Sequence, residues 1–305
     1  MTGQAAIAMQ RCCLGTAQLG MPYGIANRSG KPTHKLAHQI IEKAWQMGVR
    51  TFDTAQDYGD SEAILGESLA LLKGASPFRL ITKFRLERDR RWSEQAIRDG
   101  VALSMERLKT KSIWAILIHS ADLSGGVECG IVETLQRIQS QGWVQHLGAS
   151  VYGPEAAKRI LEHPAFSLVQ APYNLLDQRL SSEGVFALAK QLGKTVLCRS
   201  IFLQGLLTLS PADLPDHLRE AEPYLAALTR IAEDEGISLK QFAVAFAFSC
   251  SEGFPVIFGA ETPDQVEETF GYAESLPGKL PLEKIRKAAN GVPERLINPA
   301  LWRRS

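Results

Sequence analysis

Short apolar segments alternate with longer amphipathic segments along almost the whole of this 305-residue chain. Each short segment is a nearly continuous apolar run, which is typical of strands that are buried on both faces of a parallel sheet. Eight such segments can be located, and they begin at Arg11, Val49, Phe78, Ser112, Val144, Ser167, Thr195 and Phe254. The alternation predicts an α/β fold built on a parallel sheet.

The segments between the strands carry apolar residues at helical spacing. Thr33 and Ser93 stand at the expected N-caps of two helices, and the first of these helices is predicted to end at Gly48. In the second helix, the residues predicted to face the core are Ile97, Val101, Leu103, Met105 and Leu108. Further helices are predicted to begin near Ser61 and to lie near 131–141, 154–162, 183–192, 222–235, 238–250, 263–274 and 281–289.

Eight strand–helix units predict a closed (β/α)8 barrel, a TIM barrel. No linker or change of composition separates the units, so the prediction is a single domain over residues 1–305. An open doubly wound sheet is the alternative, although the chain has neither a GxGxxG nor a GxxxxGK[ST] nucleotide motif.

Composition limits the partners of this chain. Lys and Arg total 34 against 33 Asp and Glu, which gives no electrostatic footprint for nucleic acid or an anionic membrane. No apolar stretch approaches the ~20 residues of a membrane helix, and the opening residues do not resemble a signal peptide. Five cysteines without CxxC spacing argue against a disulfide framework and against a cysteine-based zinc site, and Cys12 and Cys13 are predicted to be buried. A soluble, cytoplasmic protein is predicted.

Polar residues at the ends of the predicted strands are the candidates for catalysis, because functional side chains of such barrels lie at the C-terminal strand ends. Asp53, Lys83 and His119 end three consecutive strands and should converge at one mouth. Tyr58 follows in the loop after Asp53. The alternative interpretation is a structural Asp53–Lys83 ion pair beside a half-buried loop aromatic.

These four residue types make chemical sense together. A phenol has a reference pKa near 10, and an ammonium such as that of Lys83 would lower the pKa of Tyr58 toward neutrality. Asp53 would hold the lysine, and His119 would polarise a substrate carbonyl. Such a group suits the protonation of an alkoxide that hydride addition has formed.

At these residues the sequence resembles the aldo-keto reductase family. The stretch FDTAQDYGDSEAILGESL from Phe52 to Leu69 is similar to the family signature around its catalytic Asp and Tyr. ITKF and ILIHS place Lys83 and His119 where the family has its catalytic Lys and His, and LGTAQLG opens the first strand in the family manner. The likeness covers nearly the whole chain.

The resemblance implies a barrel that binds NAD(P)H and reduces an aldehyde or ketone without a metal. Tyr58 would donate the proton with the help of Lys83 and Asp53, and His119 would orient the carbonyl. The segments VQAPYNLLDQR, SIFLQGLL and FGAETPDQVEET resemble those that line the nicotinamide, the pyrophosphate and the adenosine. The cofactor-binding residues that this implies are Gly15, Thr16, Asp53, Ser150, Gln170, Arg199, Ser200, Phe202, Gly205, Phe258, Gly259, Ala260, Gln265, Glu268 and Thr269.

Three departures from the family pattern bear on the coenzyme. Arg199 replaces the aromatic ring that usually stacks on the nicotinamide, and Val151 replaces an amide partner of its carboxamide. Gly259 and Gln265 stand where many members place cations against the 2′-phosphate, and Thr269 replaces an Asn. Backbone N–H groups near 262–265 could hold a phosphate instead. We expect NADPH, with NADH as the alternative.

Substrate and activity leave alternatives open. YGIANRSGK is similar to a bacterial subgroup found among sugar-modifying reductases, which points to a sugar. Arg199 facing the cofactor, or the basic run from Arg85 to Trp92, would attract an anionic carbonyl compound, whereas an outward ion pair would remove Arg199 from the site. A barrel that only senses nicotinamide nucleotides and a Schiff-base enzyme using Lys83 are the rival functions. The oligomeric state is not predicted.

Overall fold

Eight parallel strands close into a barrel in chain order, with β1 pairing to both β2 and β8. The structure is a computed structural model that describes residues 11–72, 77–85, 93–119, 129–275 and 279–302. The strands are β1 Cys12–Gly15, β2 Thr51–Asp53, β3 Arg79–Arg85, β4 Ile113–His119, β5 Val144–Ser150, β6 Leu168–Pro172, β7 Thr195–Arg199 and β8 Val256–Gly259. The predicted TIM barrel is confirmed, and the open doubly wound sheet is wrong.

Helices follow the strands and surround the barrel. They are α1 Ala17–Gly20, α2 His34–Gln46, α3 Ser61–Leu71, α4 Glu94–Arg107, α5 Cys129–Ser140, α6 Pro154–Glu162, α7 Arg179–Ser182, α8 Val185–Gln191, α9 Glu222–Asp234, α10 Leu239–Cys250, α11 Pro263–Glu274, α12 Leu282–Ala288 and α13 Glu294–Ile297. Short 3-10 turns lie at Leu203–Thr208, Pro211–Asp213, Asp216–Ala221 and Pro299–Leu301. Both predicted N-caps are confirmed, because Thr33 Oγ1 accepts a hydrogen bond from Leu36 N and Ser93 Oγ from Ala96 N.

The apolar core has two parts. A large layer lies between the strands and the helices, and a smaller cluster fills the barrel interior with Cys13, Ile81, Ala115, Leu117, Leu168, Leu197 and Ile257. Cys12 and Cys13 are buried as predicted. The prediction for Leu103 is wrong: its side chain is 42 % exposed, because the inward face of α4 runs through Ile97 and Val101 to the following Leu108.

Some predictions lie beyond what the structure describes. Residues 86–92 of the predicted basic run are outside the described residues, and the prediction of a single domain over 1–305 stays a prediction. Within the ranges that the structure does describe, no helix has both the length and the apolar character needed to cross a membrane.

Candidate active site

The inward faces of the strands carry the polar residues of the site in a single layer. Side chains on a strand alternate between its two faces, so residues two apart point the same way. On each of six strands, the residue two positions after a member of the apolar interior cluster points to the same inner side. These residues are Gly15, Lys83, His119, Gln170, Arg199 and Gly259. Asp53 joins this layer because it pairs in register with Gly15. The C-terminal mouth of the barrel is therefore lined by the residues that the sequence singled out.

Asp53 and Lys83 form a buried ion pair at the base of this layer. Lys83 Nζ lies 2.7 Å from Asp53 Oδ2 and also donates to the carbonyl oxygen of Thr54 at 2.8 Å. Only 1 % of the lysine side chain is exposed. Asp53 Oδ1 accepts a hydrogen bond of 2.8 Å from Gln170 Nε2. Buried charges need such partners, and the two contacts of Lys83 Nζ hold the ammonium in one place.

The Tyr58 loop, residues 54–60, brings the phenol to this ammonium. Tyr58 Oη lies 3.4 Å from Lys83 Nζ. The loop packs backbone to backbone against α1, because a Cβ at Gly20 would lie 1.7 Å from the carbonyl oxygen of Tyr58. Gly59, with φ at 58°, approaches the carbonyl of Gly20 in the same way. Both glycines are therefore needed for the position of Tyr58.

His119 stands edge-on to Tyr58, with ring centroids 5.8 Å apart and an interplanar angle of 85°. Its Nδ1 lies 3.4 Å from Asp57 Oδ2, a contact that falls short of hydrogen-bond geometry. Arg85 Nε contacts the same carboxylate at 2.9 Å. Burial lowers the pKa of His119, while the His119 ring and Arg85 hold the pKa of Asp57 below its ordinary value. Sequence reasoning missed Asp57, although it lies inside the signature stretch.

The pKa of Tyr58 is raised above its ordinary value, first by burial and then by the Asp53 carboxylate. The expectation that Lys83 would bring it toward neutrality is wrong. The physical reason is that burial disfavours the phenolate, and that Asp53 lies against the ammonium and offsets its field at Tyr58. Arg199 is the neighbour that lowers the pKa of Tyr58.

Ser150 and Gln170 are tied to the ion pair. Ser150 Oγ donates to Gln170 Oε1 at 3.2 Å, and through Gln170 this link reaches Asp53. Gln170 lines the pocket described below, but Ser150 does not lie on its wall. Val151, which replaces an amide, is buried and uses its carbonyl oxygen to accept from Arg199 Nη2 at 3.2 Å.

Arg199 faces the pocket rather than the outer surface. Its Nη1 donates to Ser200 Oγ at 3.1 Å, and the guanidinium carbon lies 4.4 Å from the ring centroid of Tyr152. In the described part of the chain no carboxylate lies within 4.0 Å of it, so the outward ion pair is wrong. Burial alone would lower its pKa, but the nearby phenols, that of Tyr152 first, raise it.

One elongated pocket of about 420 Å³ runs across the strand ends. Its reaction end is formed by Asp53 and Tyr58 with Arg199 beside them, and its far end by Lys240, Glu261, Gln265 and Thr269. The predicted residues on its wall are Gly15, Thr16, Asp53, Tyr58, Gln170, Arg199, Ser200, Phe202, Gly205, Phe258, Gly259, Gln265 and Thr269. Lys83, His119, Ser150, Ala260 and Glu268 are not on the wall. Sequence reasoning did not assign Tyr23, Lys240 and Glu261 to it.

The pocket fits a nicotinamide coenzyme in shape and in donors. Two wall residues are glycines that leave no room for a side chain: a Cβ at Gly259 would lie 2.2 Å from Gln18 Nε2, and one at Gly15 would lie 3.0 Å from Ile257 Cγ2. The buried Nε of Arg199 has no hydrogen-bond partner, so a polar donor is left over at the reaction end.

The backbone after β7 is strained where it meets the pocket. Ser200, Leu203 and Gln204 have φ values of 59°, 47° and 53°, and Gly205 follows at 97°. A Cβ at Gly205 would lie 2.6 Å from the Cβ of Ala26, so the close approach of the two segments requires glycine there. Such strain is typical of ligand-binding segments, and it turns this segment toward the pocket.

Comparison with known proteins agrees with this geometry. Residues 11–286 match the aldo/keto reductase family. Aldo-keto reductase str7 of Strobilurus tenacellus is 26 % identical over 298 residues, covering 90 % of this chain and 87 % of that protein. A D-threo-aldose 1-dehydrogenase of Pseudomonas sp is 26 % identical over 278 residues, covering 78 % and 83 %.

Solved structures share the fold. An aldo-keto reductase from Bacillus halodurans, in its holo form, superposes with a TM-score of 0.74 at 22 % identity and covers 94 % of this chain and 95 % of its own. A glycerol dehydrogenase from Gluconobacter oxydans superposes with a TM-score of 0.70 at 23 % identity, covering 95 % and 93 %. With the family match over most of the chain, the conclusion is that this protein belongs to the aldo/keto reductase family of NAD(P)H-dependent oxidoreductases.

Proposed function

We propose that this protein reduces an aldehyde or ketone to an alcohol, with Tyr58 as the proton donor. The observation that carries the proposal is the contact of 3.4 Å between Tyr58 Oη and the buried ammonium of Lys83 at one end of the pocket. Bound NAD(P)H supplies the hydride that adds to the carbonyl carbon. The oxygen then carries a negative charge and needs a proton from the protein.

Tyr58 suits this step because its raised pKa keeps the phenol protonated at neutral pH. An alkoxide is a much stronger base than a phenolate, so the proton moves from Oη to the substrate oxygen. The charge left on Tyr58 is stabilised by Lys83, which Asp53 holds in place. Because Lys83 Nζ already contacts Asp53 Oδ2 and the carbonyl oxygen of Thr54, this arrangement disfavours a Schiff base at that residue.

His119 would orient the carbonyl oxygen from the opposite side. Burial lowers its pKa, so the ring is neutral at physiological pH and acts as a hydrogen-bond donor rather than as a second acid. Its ring lies edge-on to Tyr58 with the centroids 5.8 Å apart, so the two side chains are neighbours at the barrel mouth. The two residues would therefore share the substrate oxygen.

For the substrate we propose a sugar or an anionic carbonyl compound. The name of the Pseudomonas relative, D-threo-aldose 1-dehydrogenase, supports a sugar. The inward guanidinium of Arg199, without a carboxylate partner among the described residues, supports a carboxylate-bearing carbonyl. The cytoplasmic location stays a prediction, as does the choice of coenzyme between NADPH and NADH.

The test is Tyr58→Phe, assayed as NAD(P)H oxidation with aldehydes, aldoses and keto acids. Loss of the proton donor should lower kcat by about 10²–10⁴-fold, while the Kd of the coenzyme stays within about twofold. Tyr224→Phe is the matched control, because its hydroxyl donates to the carbonyl oxygen of Gly291 and neither residue lines the pocket. Turnover that survives in Tyr58→Phe would remove Tyr58 from the mechanism.

A further inference from the structure

The far end of the pocket must hold the adenosine half of the coenzyme if the proposed function is right. Hydride and proton have to reach the same carbonyl group, so the nicotinamide lies near Tyr58. The rest of the dinucleotide then extends to Lys240, Glu261, Gln265 and Thr269. NADH and NADPH differ there by one phosphate on the ribose 2′-oxygen, so the charges of this end decide between them.

Glu261 is a half-buried carboxylate on the wall of this end. Over the ranges that the structure describes, no Lys, Arg or His nitrogen lies within 4.0 Å of its carboxylate. Burial raises its pKa above the ordinary value, as expected for an acid without a counter-charge. The side chain thus offers a hydrogen-bond acceptor and a negative charge, and neither is already used.

Lys240 is the cation on the same wall, and it is already paired. Its Nζ contacts Glu268 Oε2, and Tyr272 Oη donates to the other oxygen of that carboxylate at 2.6 Å. Glu261 and Glu268 together carry two negative charges against the single positive charge of Lys240. An incoming phosphate would have to displace Glu268 from the lysine and remain beside Glu261.

The N-terminus of α11 offers few donors to a phosphate. Thr262 Oγ1 accepts from Gln265 N at 3.2 Å, and Gln265 Oε1 accepts from Glu261 N at 2.8 Å. Pro263 has no N–H, and Asp264 adds another carboxylate to the first turn. Of the backbone N–H groups that the sequence offered for a phosphate, that of Gln265 is therefore already hydrogen-bonded within the protein, and so is the neighbouring N–H of Glu261.

We propose that Glu261 selects NADH over NADPH by accepting a hydrogen bond from the adenosine ribose 2′-hydroxyl. A carboxylate in this role is a recurring way to bind NAD, whereas NADP sites place a cation against the phosphate. The 2′-phosphate of NADPH would bring its charge against Glu261 and find Lys240 occupied. The inference deepens the proposed function and depends on it.

The experiment is equilibrium binding of NADH and of NADPH to the full-length protein, followed by nicotinamide fluorescence, with 5′-AMP and 2′,5′-ADP as probes of the far end alone. The Kd of NADH should be lower than that of NADPH by about tenfold or more. Glu261→Gln should tighten NADPH and 2′,5′-ADP about tenfold and leave NADH within a few-fold. Glu267→Gln is the matched control, since it removes the same charge from α11 at a carboxylate that pairs with Lys43.

The outcomes separate the two claims. Binding of neither coenzyme would overturn the proposed function and this inference with it. Binding of both with NADPH preferred, or a preference that Glu261→Gln leaves unchanged, would overturn the role of Glu261 while the oxidoreductase remains. If Glu261→Gln and Glu267→Gln change the NADPH affinity equally, the change reflects only the overall charge of the protein. That result would also overturn the role of Glu261.

Discussion

The two ends of the pocket are built in opposite ways. At the reaction end, Asp53, Lys83 and Gln170 are buried and joined by hydrogen bonds of 2.7–2.8 Å. At the far end, Lys240 and Glu268 form a part-exposed pair on two helices, and Glu261 has no charged partner among the described residues. The reaction end carries a surplus positive charge on Arg199, and the far end a surplus negative charge on Glu261.

This difference follows from the elements that carry the residues. Strand residues inside the barrel have their direction set by the pleat and their neighbours set by register, so small displacements are resisted. Residues at helix starts and on loops are held by caps and surface pairs, which tolerate change. We expect the reaction end to respond to substitution in both stability and turnover, and the far end mainly in coenzyme choice.

The largest expected effect comes from breaking the buried pair. Lys83→Met leaves Asp53 as a buried carboxylate without its cation, which should lower the free energy of unfolding by about 3–5 kcal/mol in urea denaturation. Lys240→Met breaks the part-exposed pair at the far end and should cost under about 1 kcal/mol. The double variant with Asp53→Asn should recover part of the stability lost in Lys83→Met. Equal losses in Lys83→Met and Lys240→Met would contradict the contrast between the ends.

A smaller effect is expected from adding one methyl group at each end. The Cβ of Gly20→Ala would meet backbone atoms of the Tyr58 loop, so the loop must shift and kcat should fall about 10²-fold. The Cβ of Gly259→Ala would meet only the tip of the Gln18 side chain, which can rotate away, so the Kd of the coenzyme should change less than about threefold. Steady-state kinetics measures kcat in Gly20→Ala, and coenzyme titration measures the Kd in Gly259→Ala. A larger loss of turnover in Gly259→Ala would show that the reaction end is not the stiffer one.

The smallest expected effect concerns the surplus charge of the reaction end. Arg199 lowers the pKa of Tyr58, so Arg199→Met should raise that pKa further. Alcohol oxidation needs the phenolate, and its rate at fixed alkaline pH should fall about 3–10-fold, with the rising limb of the pH profile moved upward. Removal of the positive charge in Arg199→Met should also raise the affinity for the oxidised, cationic coenzyme relative to that for the reduced coenzyme by a similar factor.

Arg137→Met serves as the control for Arg199→Met, because Arg137 pairs with Glu94 on the exposed surface. It removes the same charge far from the pocket and should leave the pH profile in place. A pH profile and a ratio of coenzyme affinities that do not move in Arg199→Met would mean that this guanidinium does not act on the reacting groups.

Much of the reaction end was predictable from strand ends. Asp53, Lys83 and His119 each close an apolar run, and parallel strands bring their ends to one mouth. The exposed Leu103 shows the limit of apolar spacing, since an apolar residue can also fall on the outer face of a helix. The direction of the pKa shift of Tyr58 was not predictable from the sequence. It depends on how far the charge of Asp53 offsets that of Lys83 and on how completely the phenol is shielded from solvent.

The sequence by itself determined the barrel and the layer of polar residues at its mouth, because continuous apolar runs mark strands that are buried on both faces and polar residues mark where those runs end. Only the tertiary structure decided the charge of the two ends. Whether Lys240 is neutralised, and whether Glu261 and Arg199 face the pocket unpaired, depends on distances of a few ångströms between residues far apart in the chain. Electrostatic interaction is set by such distances and by burial, and local sequence encodes neither.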